Sequence, residues 1–533
     1  MKRNHWILLL LVCVSVIPVL IFRDYTPSNE LRYLSLADEA LRDGNVMTFY
    51  NHGEIYADKP PLYLWIVMLG RLLFGEHVMW FLGLFSLVPA AVTVGVMNEW
   101  CREELSERRS AAAQMMLLSG GLFLGLALCL RMDMLMTMFI VLAMRSFWRI
   151  YSVEGYSRNA ERERWLLPIW TFLALFTKGP VGVLVPLVSI PVFLISRRKL
   201  RTIGRYLGWR FWVVMLSLCA LWWGGVYLEG GSDYLNNLLF HQTIDRAVDA
   251  FHHKEPFWYY LITIWYSLFP WSIFVIFALV AAWAQRKCYD DKSALFSVVI
   301  LSTFVMMSAF SSKLAVYLLP IFPFMVYLAV AKAPARSRLL RWTVIIPEAV
   351  LALALPAMIV CACLEQTAWL GQPLFIVGGA VMTAFAVFAL VVLLRGRDIW
   401  GSVMTASLGM FATILVAGWQ LPRVNNMIGY AVMCERAEEI AEQNDATDYV
   451  VCGVRRSENM DVYLGVMPEV ATAEEIVDGK WSGSVLMVRN RNLTKEPLAA
   501  YLANVERVTE GDYSILLLPE VVTLEEVLTI ENQ

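Results

Sequence analysis

Residues 197–228 read RRKLRTIGRYLGWRFWVVMLSLCALWWGGVYL. Arg197, Arg198, Lys199, Arg201 and Arg205 crowd the front of this stretch, and nothing charged follows from Phe211 to Leu228. An uncharged apolar run of about eighteen residues is long enough to cross a hydrocarbon core as a helix. A cluster of Lys and Arg at one end of such a run marks the cytoplasmic side.

The same reading extends outward to residues 6–22, 79–97, 342–364 and 373–394, which are similarly long and apolar. Alternating the loops between them gives about thirteen spans with the N-terminus inside. The loops this places in the cytoplasm also carry Arg102, Arg108, Arg109, Arg158, Arg162, Arg164, Arg286, Lys287, Lys332, Arg336, Arg338, Arg341, Arg395 and Arg397. On the opposite face, ahead of the C-terminal tail, the main cations are Arg23, Arg32, Arg42, Lys59, Arg131, Lys178, Arg246, Lys254 and Lys313. Several of these adjoin Pro, Gly, His or a carboxylate in short, unusual sequences, so this face is the expected active one.

Composition agrees. Of 533 residues 58% are hydrophobic, and the mean hydropathy is +0.57. A soluble chain of this length would carry far more charge. The net charge of −2 gives no reason to expect nucleic acid, because the cations are distributed as topology signals. Lys2-Arg3 followed by an apolar run resembles a signal peptide, but no small-x-small site follows it. A retained first span is expected. The nine cysteines show no metal-ligand spacing. Cys434 and Cys452 either pair in the tail or are buried thiols.

Residues 1–420 are expected to form the membrane domain, with a periplasmic first loop at 23–60 that is too long for a mere connector. Within it, 28–43 has the spacing of an amphipathic interfacial helix stopped by Gly44. An extended piece from Val46 to Tyr56 leads to Asp58-Lys59-Pro60-Pro61, and the prolines start the next helix. Residues 111–130 read as one apolar run, and 229–260 as a large outward loop. Residues 421–533 differ in composition. Val432–Gln443 and Leu498–Val505 read as helices, and Asp448–Gly453, Ser484–Val488 and Tyr513–Leu518 as strands. The fold class expected is therefore an all-α multi-pass membrane protein with a small C-terminal α/β domain on the periplasmic side.

Charges beside hydrocarbon are costly unless paired or functional, which selects Glu30, Asp58, Lys59, Arg131 and Asp133 for chemistry. Each has a plainer reading. Glu30 fits a helix-capping carboxylate, Arg131 a topology anchor, Asp133 an N-cap and Lys59 a snorkelling lysine. Lys178 before Gly179-Pro180 fits a helix-end cation. Lys313 with Tyr317 one turn later offers a pair of donors. His252 and His253 are either interfacial, or His253 shares a divalent cation with a carboxylate such as Asp58. The aromatic run Phe257–Tyr260 reads as an interfacial belt.

Six motifs in one order carry a further reading: Asn29-Glu30-Leu31-Arg32-Tyr33, Asp58-Lys59-Pro60-Pro61, Arg131-Met132-Asp133, Thr177-Lys178-Gly179-Pro180, His253-Lys254-Glu255-Pro256 and Ser312-Lys313-Leu314-Ala315-Val316-Tyr317. Together they resemble the bacterial lipid A aminoarabinose transferases and the related protein O-mannosyltransferases, membrane glycosyltransferases of the GT-C fold class. The resemblance spans residues 1 to about 420. It implies that Glu30 is the catalytic carboxylate. Relatives often have Asp-Glu where this chain has Asn29-Glu30, which makes Asp133 the rival. It places the donor-site or metal histidine at His253, beside Asp58, so that a divalent cation is the one cofactor it leaves room for.

The substrates this implies are a polyprenyl-phosphate-linked sugar and a lipid or glycan acceptor, met in the inner membrane on the periplasmic face by a monomer. Lys59, Arg131, Lys178, Lys254, Lys313 and Tyr317 are then the groups expected to hold the donor phosphate, whose charge grows as it leaves. A protein Ser/Thr acceptor is the runner-up. A lipid or sugar transporter is the alternative from another class, but it would put ionisable residues mid-span and show repeat symmetry.

Overall fold

The computed structural model describes residues 3–153, 157–240, 254–334 and 337–519. By backbone contacts they divide into two units, one of residues 1–21 and 39–420, the other of 22–38 and 421–533. The dividing line passes through a single helix of the first polar loop.

The first unit is helical. It holds α1 (Arg3–Phe22) up to residue 21, and the end of α2 (Glu30–Asp43), whose earlier residues belong to the second unit. A two-strand hairpin follows, β1 (Tyr50–Asn51) against β2 (Glu54–Ile55). Then come α3 (Pro61–Phe74), α4 (Met79–Trp100), α5 (Glu107–Leu118), α6 (Gly121–Leu128), α7 (Asp133–Tyr151), α8 (Arg158–Lys178), α9 (Pro180–Ser196) and α10 (Trp209–Asn236). Further helices run to Gly418.

Among the described residues nine helices are long and apolar enough to cross a membrane. The pair α5 and α6 makes a tenth if it is counted as one bent span. Three more apolar helices, α3, α9 and Ser272–Ala284, are shorter. A helix of fourteen residues such as α3 spans about 21 Å, against a hydrocarbon core of about 30 Å. The bundle has an inside and an outside. The window of α7 is 72% buried and that of Ala315–Lys332 is 78% buried, whereas Arg338–Ala362 is only 17% buried. Leu72, Leu221, Leu228 and Val305 are exposed apolar side chains of the kind that face lipid.

In the first unit two boundaries differ from the sequence reading. The run 111–130 is broken at Ser119-Gly120, where α5 and α6 bend by 65°. The bend is fixed by packing: the Gly121 N–H donates to the Phe269 carbonyl at 2.7 Å, and the Trp271 indole donates to the Ser119 hydroxyl at 2.8 Å. Helix α10 also continues past residue 229 to Asn236. It is broken at Gly231, whose φ of 71° is not helical, so that a second helical segment follows the kink to Asn236.

In the second unit the sheet order is β4 (Glu469–Val470), β3 (Tyr449–Cys452), β5 (Val485–Arg489), β7 (Tyr513–Leu517), β6 (Val508–Glu510). The first three strands are parallel, and β5, β7 and β6 are antiparallel. Val485, Leu486, Met487 and Val488 are all buried, as expected of a central strand covered on both faces. The helix Ala431–Gln443 buries Met433, Cys434, Ala437 and Ala441 and packs on β5 and β7. Leu498–Tyr501 is a single turn, shorter than the helix read there. Cys434 and Cys452 are both free, buried thiols.

Segment 22–38 is stitched into this unit through Asp24, whose carboxylate accepts from the Tyr463 hydroxyl at 2.6 Å and the Ala431 N–H at 2.9 Å. Asn425 closes the seam by donating to the Phe22 carbonyl at 2.7 Å. Gly429 has no room for a side chain, since a Cβ there would sit 2.1 Å from Asp24 Oδ2. Ser35 adds a 2.8 Å hydrogen bond to Asp461.

Candidate active site

In the first unit the cluster that merits chemical attention forms where α7 begins and α8 ends. Asp133 opens α7 and is 1% exposed. Arg131 reaches it from the preceding turn, Nε to Oδ2 at 2.9 Å. Lys178, the last residue of α8, donates to the other carboxylate oxygen, and its side chain is 8% exposed. The local sequence dictates this placement. Gly179 adopts φ 94°, which ends α8 at once, and Pro180 at the first position starts α9, so Lys178 is held at a sharp corner. The Tyr317 ring lies under the Lys178 ammonium, 4.8 Å from nitrogen to centroid. The Ser86 hydroxyl of α4 donates to the Cys129 carbonyl at 2.7 Å and fixes the turn that carries Arg131.

Beside this cluster lies the pair Asp58–Lys59, 2.8 Å between Lys59 Nζ and Asp58 Oδ2. Lys59 is within electrostatic range of Lys178. The Tyr56 hydroxyl also approaches Asp58, at 3.4 Å. Asp133 is thus held between Arg131 and Lys178, with the Asp58–Lys59 pair within electrostatic range of Lys178. Taken alone these five residues carry one net positive charge, in a partly buried setting where such a charge attracts an anion strongly.

The loop that presents Asp58 is held by residues the sequence reading passed over. At the far end of α10, Glu229 accepts from the backbone N–H groups of Val46, Met47 and Thr48 at 3.0, 3.0 and 2.8 Å, and from the Thr48 hydroxyl at 2.7 Å. Tyr234 accepts from the Phe49 N–H and donates to the Tyr56 carbonyl, both at 3.0 Å. Glu39 accepts from the N–H groups of His52 and Gly53 at 2.7 and 2.8 Å and so pins the hairpin tip. The Trp65 indole donates to the Val46 carbonyl at 2.6 Å. A carboxylate at the edge of an apolar run, as at Leu228-Glu229, was the signal available in the sequence.

Lys313 does not join the cluster through any hydrogen bond seen here. It is 3% exposed, and its ammonium donates to the carbonyls of Glu255 and Phe310 at 2.7 and 2.5 Å. Lys254 pairs through its backbone with Ser312 in an antiparallel bridge, so these two lysines tie one loop to another. Tyr317, one turn on, instead turns to Lys178. His253 and its neighbours from 241 onward lie outside the described residues. Among the described residues no group of three or more His, Cys, Asp and Glu side chains is placed to hold a metal ion. Asp58 is engaged by Lys59.

Glu30 belongs to the second unit. It is 1% exposed and receives Arg23 in a two-pronged pair, with Arg23 Nη1 to Oε2 and Nη2 to Oε1 both at 2.7 Å. The Thr26 N–H donates to Oε2 at 2.7 Å. These charge-assisted donors fix the orientation of the Glu30 carboxylate.

Residues 58–223 match the family model described as dolichyl-phosphate-mannose-protein mannosyltransferase. An undecaprenyl phosphate-alpha-4-amino-4-deoxy-L-arabinose arabinosyl transferase of Pseudomonas fluorescens is 27% identical over 307 residues, which cover 55% of this chain and 51% of that protein. The like-named enzyme of Erwinia tasmaniensis is 27% identical over 417 residues, 74% of this chain and 72% of the other. The chain thus spans about half the length of the first of these relatives. Among solved structures, ArnT from Cupriavidus metallidurans bound to undecaprenyl phosphate superimposes with a TM-score of 0.75 at 19% identity, covering 98% of this chain and 99% of that one. Its apo state gives 0.73. The resemblance read from the six motifs is borne out, and the fold is the GT-C membrane fold with a small C-terminal sheet domain.

Proposed function

We propose that this chain is an integral-membrane glycosyltransferase that moves a sugar from a polyprenyl-phosphate donor to lipid A or another envelope lipid or glycan, on the periplasmic face of the inner membrane. The observation that carries the reading is the cluster of Lys59, Arg131 and Lys178 around Asp58 and Asp133 at the outer ends of the spans. A polyprenyl phosphate brings a compact anion to that depth, and these three cations suit it.

The reaction is a single displacement. The acceptor oxygen forms a bond to the anomeric carbon as the bond from that carbon to the donor phosphate oxygen breaks. The electron pair leaves with the phosphate, and the anomeric configuration inverts. Lys59, Arg131 and Lys178 stabilise the charge that accumulates on the leaving phosphate, and they do so more strongly in the transition state than in the donor complex. A phosphate acceptor is already ionised. A hydroxyl acceptor needs its proton removed, and Glu30 is the carboxylate we assign to that task, with Asp133 as the rival. The arabinosyl transferases similar to this chain are named for an undecaprenyl-phosphate-linked sugar, which supports the polyprenyl-phosphate donor. The family model matched over 58–223 is named for transfer to protein, which supports a Ser/Thr hydroxyl as the second reading.

The test uses purified full-length protein, a radiolabelled polyprenyl-phosphate sugar and an envelope lipid extract. Transfer of label to lipid supports the first reading. Transfer only to added secreted protein supports the second, and no transfer to either is against both.

A further inference from the structure

We propose that the first unit carries a second anion site, far from the first, which binds the phosphate headgroup of an anionic membrane lipid. A cavity of about 240 Å³ lies where α8 begins and α10 begins, with Arg164, Arg205, Arg210, Gly208 and Trp209 in its wall. Arg164 stands fourteen residues before Lys178 on α8, which is about 21 Å of helix. The cavity therefore lies toward the opposite end of that helix from the Asp133 cluster, among the loops whose Lys and Arg content reads as cytoplasmic.

Among the described residues the wall is short of acceptors. One carboxylate, Glu161, serves two of the guanidinium groups, pairing with Arg164 at 2.9 Å and also with Arg210. Arg205 donates to the Val153 carbonyl at 2.7 Å. The Nε atoms of both Arg164 and Arg205 are buried and have no hydrogen-bond partner. Buried N–H donors are almost always satisfied, and two such donors on the wall of one positive cavity call for an acceptor that carries charge. The turn that brings Arg205 and Arg210 together depends on Gly208, because a Cβ there would lie 2.0 Å from the Gly204 carbonyl oxygen.

Inorganic phosphate and a lipid phosphodiester share the chemistry these arginines recognise. The surroundings favour the lipid. Trp209 is 67% exposed and lies with its ring 5.5 Å from the Arg210 guanidinium, and Trp165 flanks the same group at 5.7 Å. Trp212, Val213 and Leu216 continue an exposed apolar face along α10. Indoles at the rim with an aliphatic stripe beyond is the arrangement that holds a headgroup at the interface and its acyl chains against the helix. This site stands apart from the transferase reading and is tested without sugar transfer.

Full-length protein in detergent is titrated with phosphatidylglycerol or phosphatidylcholine and examined by native mass spectrometry. Selective retention of phosphatidylglycerol is expected. At about 1 kcal/mol per interfacial arginine, each lost arginine weakens retention about fivefold. The double substitution Arg164→Gln and Arg205→Gln should therefore weaken it about twenty-five-fold, while Arg201→Gln on the exposed surface leaves it unchanged. Equal retention by the double variant, or equal retention of the two lipids, overturns the proposal. So does competitive displacement of the lipid by low-millimolar inorganic phosphate. Should the variant fail to fold, photoactivatable phosphatidylglycerol on the wild-type chain decides: cross-links at residues 209–216 support the site, and their absence there overturns it.

Discussion

Lys178 and Asp133 are 45 positions apart in sequence, yet the ammonium at the end of one helix donates to the carboxylate at the start of another. Each is almost wholly buried. Removing either partner breaks a buried ion pair; loss of Lys178 leaves Asp133 with Arg131 as its remaining cation, so the cost lies below the about 3–5 kcal/mol of a wholly unpaired buried charge. Lys178→Met should therefore lower the thermal midpoint markedly, and adding Asp133→Asn should recover part of the loss. A single variant as stable as wild type would mean that the pair does not exist in solution.

Lys59→Ala and Arg131→Ala act differently. Both side chains are more exposed than Lys178, at 20% and 25%, so folding should tolerate their loss. Loss of a charge-assisted contact to a leaving phosphate costs on the order of 2–4 kcal/mol in the barrier, or about thirtyfold to a thousandfold in rate. Turnover measured alongside the melting curve separates the two effects. Wild-type turnover in either variant would remove it from the phosphate clamp.

Glu229 should govern the loop that carries Asp58. Glu229→Gln keeps the shape but turns an amide NH2 toward part of the N–H set it now accepts from, and at this partly exposed site each hydrogen bond lost is worth about 0.5–1.5 kcal/mol. Hydrogen exchange at Val46, Met47 and Thr48 should speed up, while the sheet of the second unit is unaffected. Unchanged protection at those three amides would show that the clamp contributes nothing.

Glu30→Gln and Asp133→Asn separate the two carboxylates we consider for the acceptor proton. Glutamine at 30 retains an acceptor for Arg23 but is no base. With a hydroxyl acceptor we expect Glu30→Gln to lose stability, because Arg23 loses the Glu30 carboxylate, and to show little transfer per folded molecule. If Glu30→Gln transfers normally and Asp133→Asn is dead, the base belongs to the second outward loop.

Much of this fold was legible because hydrocarbon imposes a simple rule. An uninterrupted apolar run such as 211–228 must be a helix, and the cations around it report its orientation. Cysteine labelling that placed residues 58 and 200 on one face would contradict that orientation. The α5–α6 bend was hidden, because Ser119-Gly120 sits in a run that is apolar on both sides and the break is fixed by contacts with Phe269 and Trp271. In the tail, β5 was readable from its consecutive buried residues, but strand order depends on pairings between distant segments that no local pattern encodes.

The site divides in the same way. Asp58, Lys59, Arg131, Asp133 and Lys178 announced themselves as charges at the ends of apolar runs. Their partners did not. Nothing in Arg23-Asp24 said that Arg23 would grip Glu30 with both nitrogens, and Lys313 and Tyr317, one turn apart, face different groups because the extended residues before Ala315 turn the lysine toward backbone carbonyls.

We propose that Lys59, Arg131 and Lys178 form a receptor for a polyprenyl phosphate. The most direct measurement is equilibrium binding of undecaprenyl phosphate to folded wild-type protein and to the Lys59→Ala, Arg131→Ala double variant. Charge-assisted contacts at about 1.5–3 kcal/mol each predict that the double variant binds at least about a hundredfold more weakly. Equal affinity in the two folded proteins would contradict the claim.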